Sequence, residues 1–188
     1  MGDLNHRLFF GVELDNEVRH GLAASIRVMG RPLPGKPVPP QNWHLTLRFL
    51  GAASTVQRDV VLGRLAERLR ERRFPVRFGI LGAFPRPNKA SVLFVAVDDG
   101  VDAMRRLATV CEEAAIDAGF EPEERPFHPH ITLARIRPPQ NVEAVIHEFG
   151  VLGLGQVVSD VALFASHLEP GGARYEVIDR VPLLRKAQ

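Results

Sequence analysis

The sequence predicts an α+β fold of two pseudo-symmetric lobes, each a mainly antiparallel sheet with helices on the outer face, flanking a central cleft. Three observations point there. A four-residue pattern occurs twice, as His44-Leu45-Thr46-Leu47 and His130-Ile131-Thr132-Leu133. The elements around each copy follow one order: strand, helix, long proline-containing loop, motif strand, helix, strand. The spacing repeats as well, with 36 residues from Leu8 to His44 and 38 from Val92 to His130. An internal duplication of topology accounts for all three and sets the motif strands side by side in a groove, where a small-ligand site is expected. One bilobal domain over 1–188 follows, with lobes of roughly 1–84 and 90–188 and a boundary near Pro85–Lys89. Exchange of strands between the lobes is compatible with this order.

Taken in order, Leu8–Leu14 is an apolar run suited to a buried strand. Asp15 is placed to cap a helix carrying Val18, Leu22, Ile26 and Met29, which Gly30 stops. Arg31–Pro40 holds five prolines and forms a stiff connection, either a wall of the cleft or a surface connector. The first motif strand follows and ends at Gly51. Ser54 with Gln57 resembles a capping box for a helix with Val56, Val60, Leu62, Leu65 and Leu69, running to about Arg73. Phe74–Phe84 and Ser91–Val97 make a hairpin about the turn Pro85–Lys89. Val101, Met104, Leu107, Ala108, Cys111 and Ala115 mark the next helix, which Gly119 stops. The polar loop Glu121–Pro129 feeds the second motif, and Pro129 biases His128 towards extended geometry. A short helix over Val142–Phe149 and two strands, Val157–Ala165 and Arg174–Leu184, complete the chain, with a turn at Gly171-Gly172.

Composition sets bounds. A hydrophobic share of 45% and a charged share of 24% over 188 residues describe an ordinary globular domain. The formal charge of +2 and the Arg-rich composition permit a phosphate-bearing ligand. Arg64, Arg68, Arg70, Arg72 and Arg73 read as a solvated helix face. The lone Cys111 excludes an internal disulfide, suits a reducing cytoplasm and reads as a small core residue. No basic region followed by an apolar run opens the chain, and no apolar stretch reaches roughly 18–20 residues. A cytoplasmic protein without a membrane segment or an obligate protein partner is expected.

Side chains alternate along a strand, so His44, Thr46 and Arg48 share one face while Leu45, Leu47 and Phe49 share the other. His130 and Thr132 likewise share a face. With seven His and four Thr in the chain, independent placement gives roughly 0.15 His-x-Thr triplets, and two arise about one time in a hundred. Histidine titrates near 6.5, so one copy can be neutral while the other is protonated, as concerted general base and general acid catalysis requires. Threonine hydroxyls can donate to non-bridging oxygens of a phosphate held between the histidines, and arginine can add charge-assisted contacts. In-line cleavage of a phosphodiester fits this set. Nucleophilic hydrolysis fits less well, since no Gly-x-Ser-x-Gly elbow is present. A metal at His128 and His130 is the weaker alternative, because no His-Glu-x-x-His or cysteine pair completes a ligand set. His6, His20, His147 and His167 lack a matching pattern and read as surface or structural.

Paired His-x-Thr-apolar motifs on two pseudo-symmetric lobes resemble the two-histidine (2H) phosphoesterase superfamily, and within it the RNA 2′,3′-cyclic phosphodiesterases, or 2′-5′ RNA ligase-like proteins. The likeness extends through RLFFGVEL, WHLTLRFLG, GAFPRPNKASVLFVAV, FHPHITLAR and LFASHLEPGGARYEVIDRVPL. It implies a catalytic tetrad of His44, Thr46, His130 and Thr132, with no metal and no cofactor. It also implies hydrolysis of a 2′,3′-cyclic phosphate at an RNA end, or on a nucleotide, to a 2′-phosphate. His44 is assigned as acid and His130 as base, with the reverse assignment left open by the pseudo-symmetry. Arg135 matches a family position that contacts phosphate, although a regular strand would turn it away from His130. Arg48 is the second basic choice, and Phe9 and Tyr175 are possible base-stacking residues. Alternatives are a 2H relative acting on other cyclic phosphates or on 2′-5′ linked oligonucleotides, including reversible ligation, and a non-catalytic RNA-binding module.

Overall fold

Each long strand divides its residues between two faces, and one face is strongly apolar. The computed structural model describes residues 6–170 and 172–185. The strands are β1 (His6–Glu13), β2 (Lys36–Pro37), β3 (His44–Ala53), β4 (Phe74–Phe84), β5 (Ala90–Asp99), β6 (His130–Gln140), β7 (Leu154–Val158), β8 (Asp160–Glu169) and β9 (Gly172–Pro182). The helices are α1 (Asn16–Val28), α2 (Thr55–Arg68), α3 (Val101–Asp117) and α4 (Glu143–Phe149). The nine strands form one sheet in the order β7-β4-β5-β6-β3-β1-β8-β9, with β2 added to β6. Every named strand pair is antiparallel.

β3 and β6 meet at a single residue pair, Leu45 opposite Ile131. On one side of it the order is β3-β1-β8-β9, on the other β6-β5-β4-β7, so the pseudo-two-fold passes between the two motifs. The expected boundary at Pro85–Lys89 does not separate these halves. β4 and β5 pair as a hairpin within one half, while β8 and β9 from the end of the chain complete the half begun by β1 and β3. Val157–Ala165, read as one strand, breaks at Ser159. Its first part pairs with β4 and its second with β1. Such long-range pairing leaves no mark on local periodicity.

The helical side of the sheet carries the main core. Leu45, Leu47, Ile131 and Leu133 pack there with Leu65, Met104, Leu107 and Cys111, all buried. Burial pushes the Cys111 thiol up, as suits an inert core residue. The opposite face holds a smaller aromatic cluster of Phe9, Ala162 and Phe164, with Tyr175 and Val177 packed on it.

Local signals behave unevenly. The Ser54–Gln57 capping box forms as expected. α2 stops at Arg68, because Leu69 is extended and Arg73 donates its N–H to the Leu184 carbonyl at 2.9 Å. The buried positions of α2 are Val61 and Leu65, whereas Val56 and Val60 are exposed. Asp15 makes no side-chain cap, and its N–H donates to Gln156 Oε1 at 3.0 Å. Gly51 does not end β3. It adopts φ +77° beside a bulge, and the strand continues to Ala53. Part of the proline-rich connection joins the sheet, with Lys36 opposite Arg135 and the Val38 N–H donating to the Leu133 carbonyl at 2.7 Å. That segment therefore borders the groove. Among the described residues no helix is long and apolar enough to cross a membrane.

Candidate active site

The register at the two-fold decides what the motifs can share. With Leu45 opposite Ile131 in an antiparallel pair, positions 44 and 132 fall side by side, as do 46 and 130. Leu45 and Ile131 are fully buried on the helical side. His44, Thr46, His130 and Thr132 thus face the groove together, all partly exposed.

Both imidazoles are held in the same way. His44 Nδ1 lies 2.7 Å from the Asn42 carbonyl, and His130 Nδ1 lies 2.6 Å from the His128 carbonyl. A carbonyl only accepts, so each Nδ1 carries a proton and each neutral ring leaves Nε2 as an acceptor. His44 Nε2 is 2.9 Å from Thr46 Oγ1. Asn42 is itself buried and tied to β9, donating to the Ala173 carbonyl at 2.6 Å and accepting the Tyr175 N–H at 3.3 Å. The His44 hook is therefore anchored in its own lobe.

Aromatic rings enclose both histidines. Phe9 lies 4.8 Å from His44 between ring centroids, and Tyr175 stands edge-on at 5.1 Å. His130 has Phe94 at 5.1 Å and Phe84 edge-on at 5.2 Å. Burial pushes His44 down to about 4, its bond to the Asn42 carbonyl opposes this, and the charges of His130 and Arg135 add to the depression. Burial also lowers His130, against its bond to the His128 carbonyl, with His128 and Arg135 adding to the effect. Each influence is the expected one for a cation leaving water near other cations. A phosphate anion between the rings would act in the opposite direction.

Two matching β-bulges place the remaining residues. On β3, Gly11 pairs with Thr46 and Phe10 with Arg48, so Leu47 is an extra residue. On β6, Phe94 pairs with Thr132 and Leu93 with Ala134, so Leu133 is the extra one. An extra residue reverses the alternation beyond it. Arg135 is thereby turned onto the groove face with His130 and Thr132, and it is exposed. The same reversal overturns the expectation for Arg48. Its side chain is buried on the helical side, bonded to Glu112 and to the Phe49 and Glu121 carbonyls, and it does not reach the groove.

Phe9 is also corrected. It is 2% exposed and stacked on Phe164 at 4.8 Å, so it supports His44 from behind and has no free face for a base. Tyr175 lines a small cavity of about 120 Å³ beside His44, with Trp43 and Phe164. Sequence reasoning missed Phe49, Phe84 and Phe94. Phe49 was assigned to the buried face, and the bulge brings it into the groove, 49% exposed. Among the described residues no three His, Cys, Asp or Glu side chains gather into a metal-ligand set. The His6 side chain and Gly171 lie outside the described residues.

Comparison with known proteins agrees with this geometry. Residues 18–168 match the model of the 2′-5′ RNA ligase superfamily. Proteins named RNA 2′,3′-cyclic phosphodiesterase are similar over most of their length. The one from Aeropyrum pernix is 38% identical over 79% of this chain and 86% of its own. The one from Thermus thermophilus is 35% identical over 94% and 90%. Among solved structures, apo Escherichia coli LigT superposes with a TM-score of 0.76 at 28% identity, covering 97% of this chain and 99% of that one. A LigT complex with 3′-AMP gives 0.77 at 29% identity, over 95% and 98%. With two His-x-Thr strands meeting at a pseudo-two-fold and a family match across most of its length, the chain belongs to the 2′-5′ RNA ligase superfamily of two-histidine phosphoesterases.

Proposed function

We propose that the protein hydrolyses 2′,3′-cyclic phosphate ends of RNA to 2′-phosphates, by acid–base catalysis between His44 and His130 and without a metal ion. One observation carries this most directly. Two imidazoles, each hooked through Nδ1 to a carbonyl two residues back, face one groove from strands that meet at the two-fold. Each keeps Nε2 for proton exchange. The names of the Aeropyrum and Thermus relatives support the substrate class.

The cyclic phosphate sits between the rings. A neutral imidazole takes a proton from water as the water oxygen bonds to phosphorus. The P–O3′ bond breaks in line, and the protonated imidazole gives its proton to O3′, leaving the phosphate on O2′. Thr46, Thr132 and Arg135 hold the non-bridging oxygens, whose charge grows in the transition state. The phosphate anion raises both depressed histidines, which lets one carry the proton near neutral pH. The two-fold makes the roles exchangeable on geometry alone, and the orientation of the bound ribose sets which imidazole faces O3′.

The test is turnover of a short RNA with a 2′,3′-cyclic end, in EDTA, with the product resolved as 2′- or 3′-phosphate. Expected are metal-free activity, a 2′-phosphate, and a loss of roughly 10²–10⁴-fold in His44→Ala and in His130→Ala. An inactive wild type, or activity that EDTA removes and a divalent cation restores, would overturn the proposal.

A further inference from the structure

Counterpart positions about the two-fold are read directly, since His44 corresponds to His130 and both strands carry their bulge three residues on. From His44 to Leu50 and from His130 to Ile136 the burial patterns are the same. Phe49 and Arg135 are therefore equivalent positions with opposite chemistry. Phe49 exposes an aromatic face 5.6 Å from Phe9, which in turn backs His44. Arg135 stands on the other arm, opposite Lys36 on β2. Arg137 follows two positions on and is exposed like Arg135, with the fully buried Ile136 between them. Lys36, Arg135 and Arg137 are all exposed, and among the described residues neither arginine has an ion-pair partner. The charge of Arg135 lowers both histidines, so Arg135 links this exposed basic stretch to the reaction centre.

A symmetric cleft would accept an RNA end in either direction, and this one is not symmetric. Two residues along a strand advance about 6.6 Å, comparable to the step between phosphates of an extended single strand. We propose that an RNA end lies across the cleft in one direction only, with its terminal base stacked on Phe49 and its upstream phosphates on Lys36 and Arg137. The ribose suits this, since the base at C1′ and the chain at C4′ leave from opposite ends of the ring, flanking O4′, while the cyclic phosphate on C2′ and C3′ points at the histidines. Stacking on Phe49 tolerates any base, and the basic arm reads backbone charge, so an RNA chain is preferred over a mononucleotide without base selectivity.

This inference rests on the proposed hydrolysis, and its test separates the two. kcat/KM is measured for a mononucleoside 2′,3′-cyclic phosphate and for a cyclic-ended trinucleotide, across a salt series. Wild type should favour the trinucleotide. The Lys36→Gln/Arg137→Gln double variant should lower the trinucleotide-to-mononucleotide ratio roughly tenfold and flatten the trinucleotide salt slope by about 1.4, at ~0.7 per contact. Phe49→Leu should raise KM roughly tenfold for both substrates, since both carry the terminal base. Arg7→Gln, an exposed cation opposite Ala52 beyond Phe49, should keep the wild-type ratio. A ratio lost in Arg7→Gln but kept in the double variant would reverse the direction and overturn the proposal. So would a wild type without length preference, or a Phe49→Leu effect confined to the trinucleotide. Failure of wild type on both substrates would instead remove the hydrolysis itself.

Discussion

On β3 the His44 ring rests on Phe9, with Phe164 stacked behind it, and the residue opposite Thr46 is Gly11. On β6 the His130 ring rests on Phe94, the residue opposite Thr132, and Phe94 lies over Gly82. The aromatic wall is thus drawn from different strand positions in the two lobes. A Cβ at Gly82 would fall 2.5 Å from the Phe94 ring, and one at Gly11 would fall 2.7 Å from the Leu45 carbonyl. What the lobes hold in common is the Nδ1–carbonyl hook, the threonine two residues on and the bulge. Those are the parts that acid–base chemistry at a phosphate needs. What differs is the aromatic packing around each histidine and the exchange of Phe49 for Arg135 at equivalent positions.

The widest difference between the lobes lies at the bulge itself. Arg48 is buried and bonded to Glu112 and two carbonyls, while its counterpart is Ala134. Arg48→Met should destabilise the protein by about 2–4 kcal/mol in urea unfolding, since it strands the partly exposed Glu112 carboxylate. A change below about 1 kcal/mol would mean that solvent already screens the pair.

Next in size are the threonines. Thr132→Val should lower kcat roughly 10²–10³-fold as one oxyanion donor is lost. Thr46→Val should lose at least as much, because it also removes the 2.9 Å partner of His44 Nε2. A loss of less than about threefold in either would take that hydroxyl out of the reaction.

Smaller still are the glycines. Gly82→Ala should cost about 1–3 kcal/mol by overpacking and displace Phe94 towards His130. Gly11→Ala should cost more, because a backbone carbonyl yields less than a ring. Equal costs in thermal unfolding would contradict that distinction.

The mildest effect follows from burial of His44. Its folded pKa, about 4, lies below the ordinary histidine value of 6.5. The unfolded chain therefore binds more protons between those values, so stability is full above about 6.5 and falls as pH drops towards about 4. Unfolding midpoints at pH 7.5 and pH 5 should show this decline, and His44→Asn should reduce it. An undiminished decline in the variant would assign it to other groups.

Much of the site was legible because period-two alternation needs no distant information. It set His44 with Thr46 and His130 with Thr132, and the capping residues Ser54 and Gln57 announced α2. Arg48, Phe49 and Arg135 were not legible from a regular strand. One added residue at Leu47 or Leu133 reverses the phase, and neither leucine differs in kind from its neighbours. The lobe division was hidden for another reason. Pairing of β8 with β1 joins residues some hundred and fifty apart, and only the tertiary fold selects it.

The central claim is that two histidines from two lobes act as one pair. The direct test is kcat/KM on cyclic-ended RNA for wild type, His44→Ala, His130→Ala and the double variant. Each single change should cost roughly 10²–10⁴-fold, and the double variant should be little worse than the poorer single, since neither proton transfer proceeds without the other. Losses that multiply in the double variant would show two independent contributions and contradict the pair.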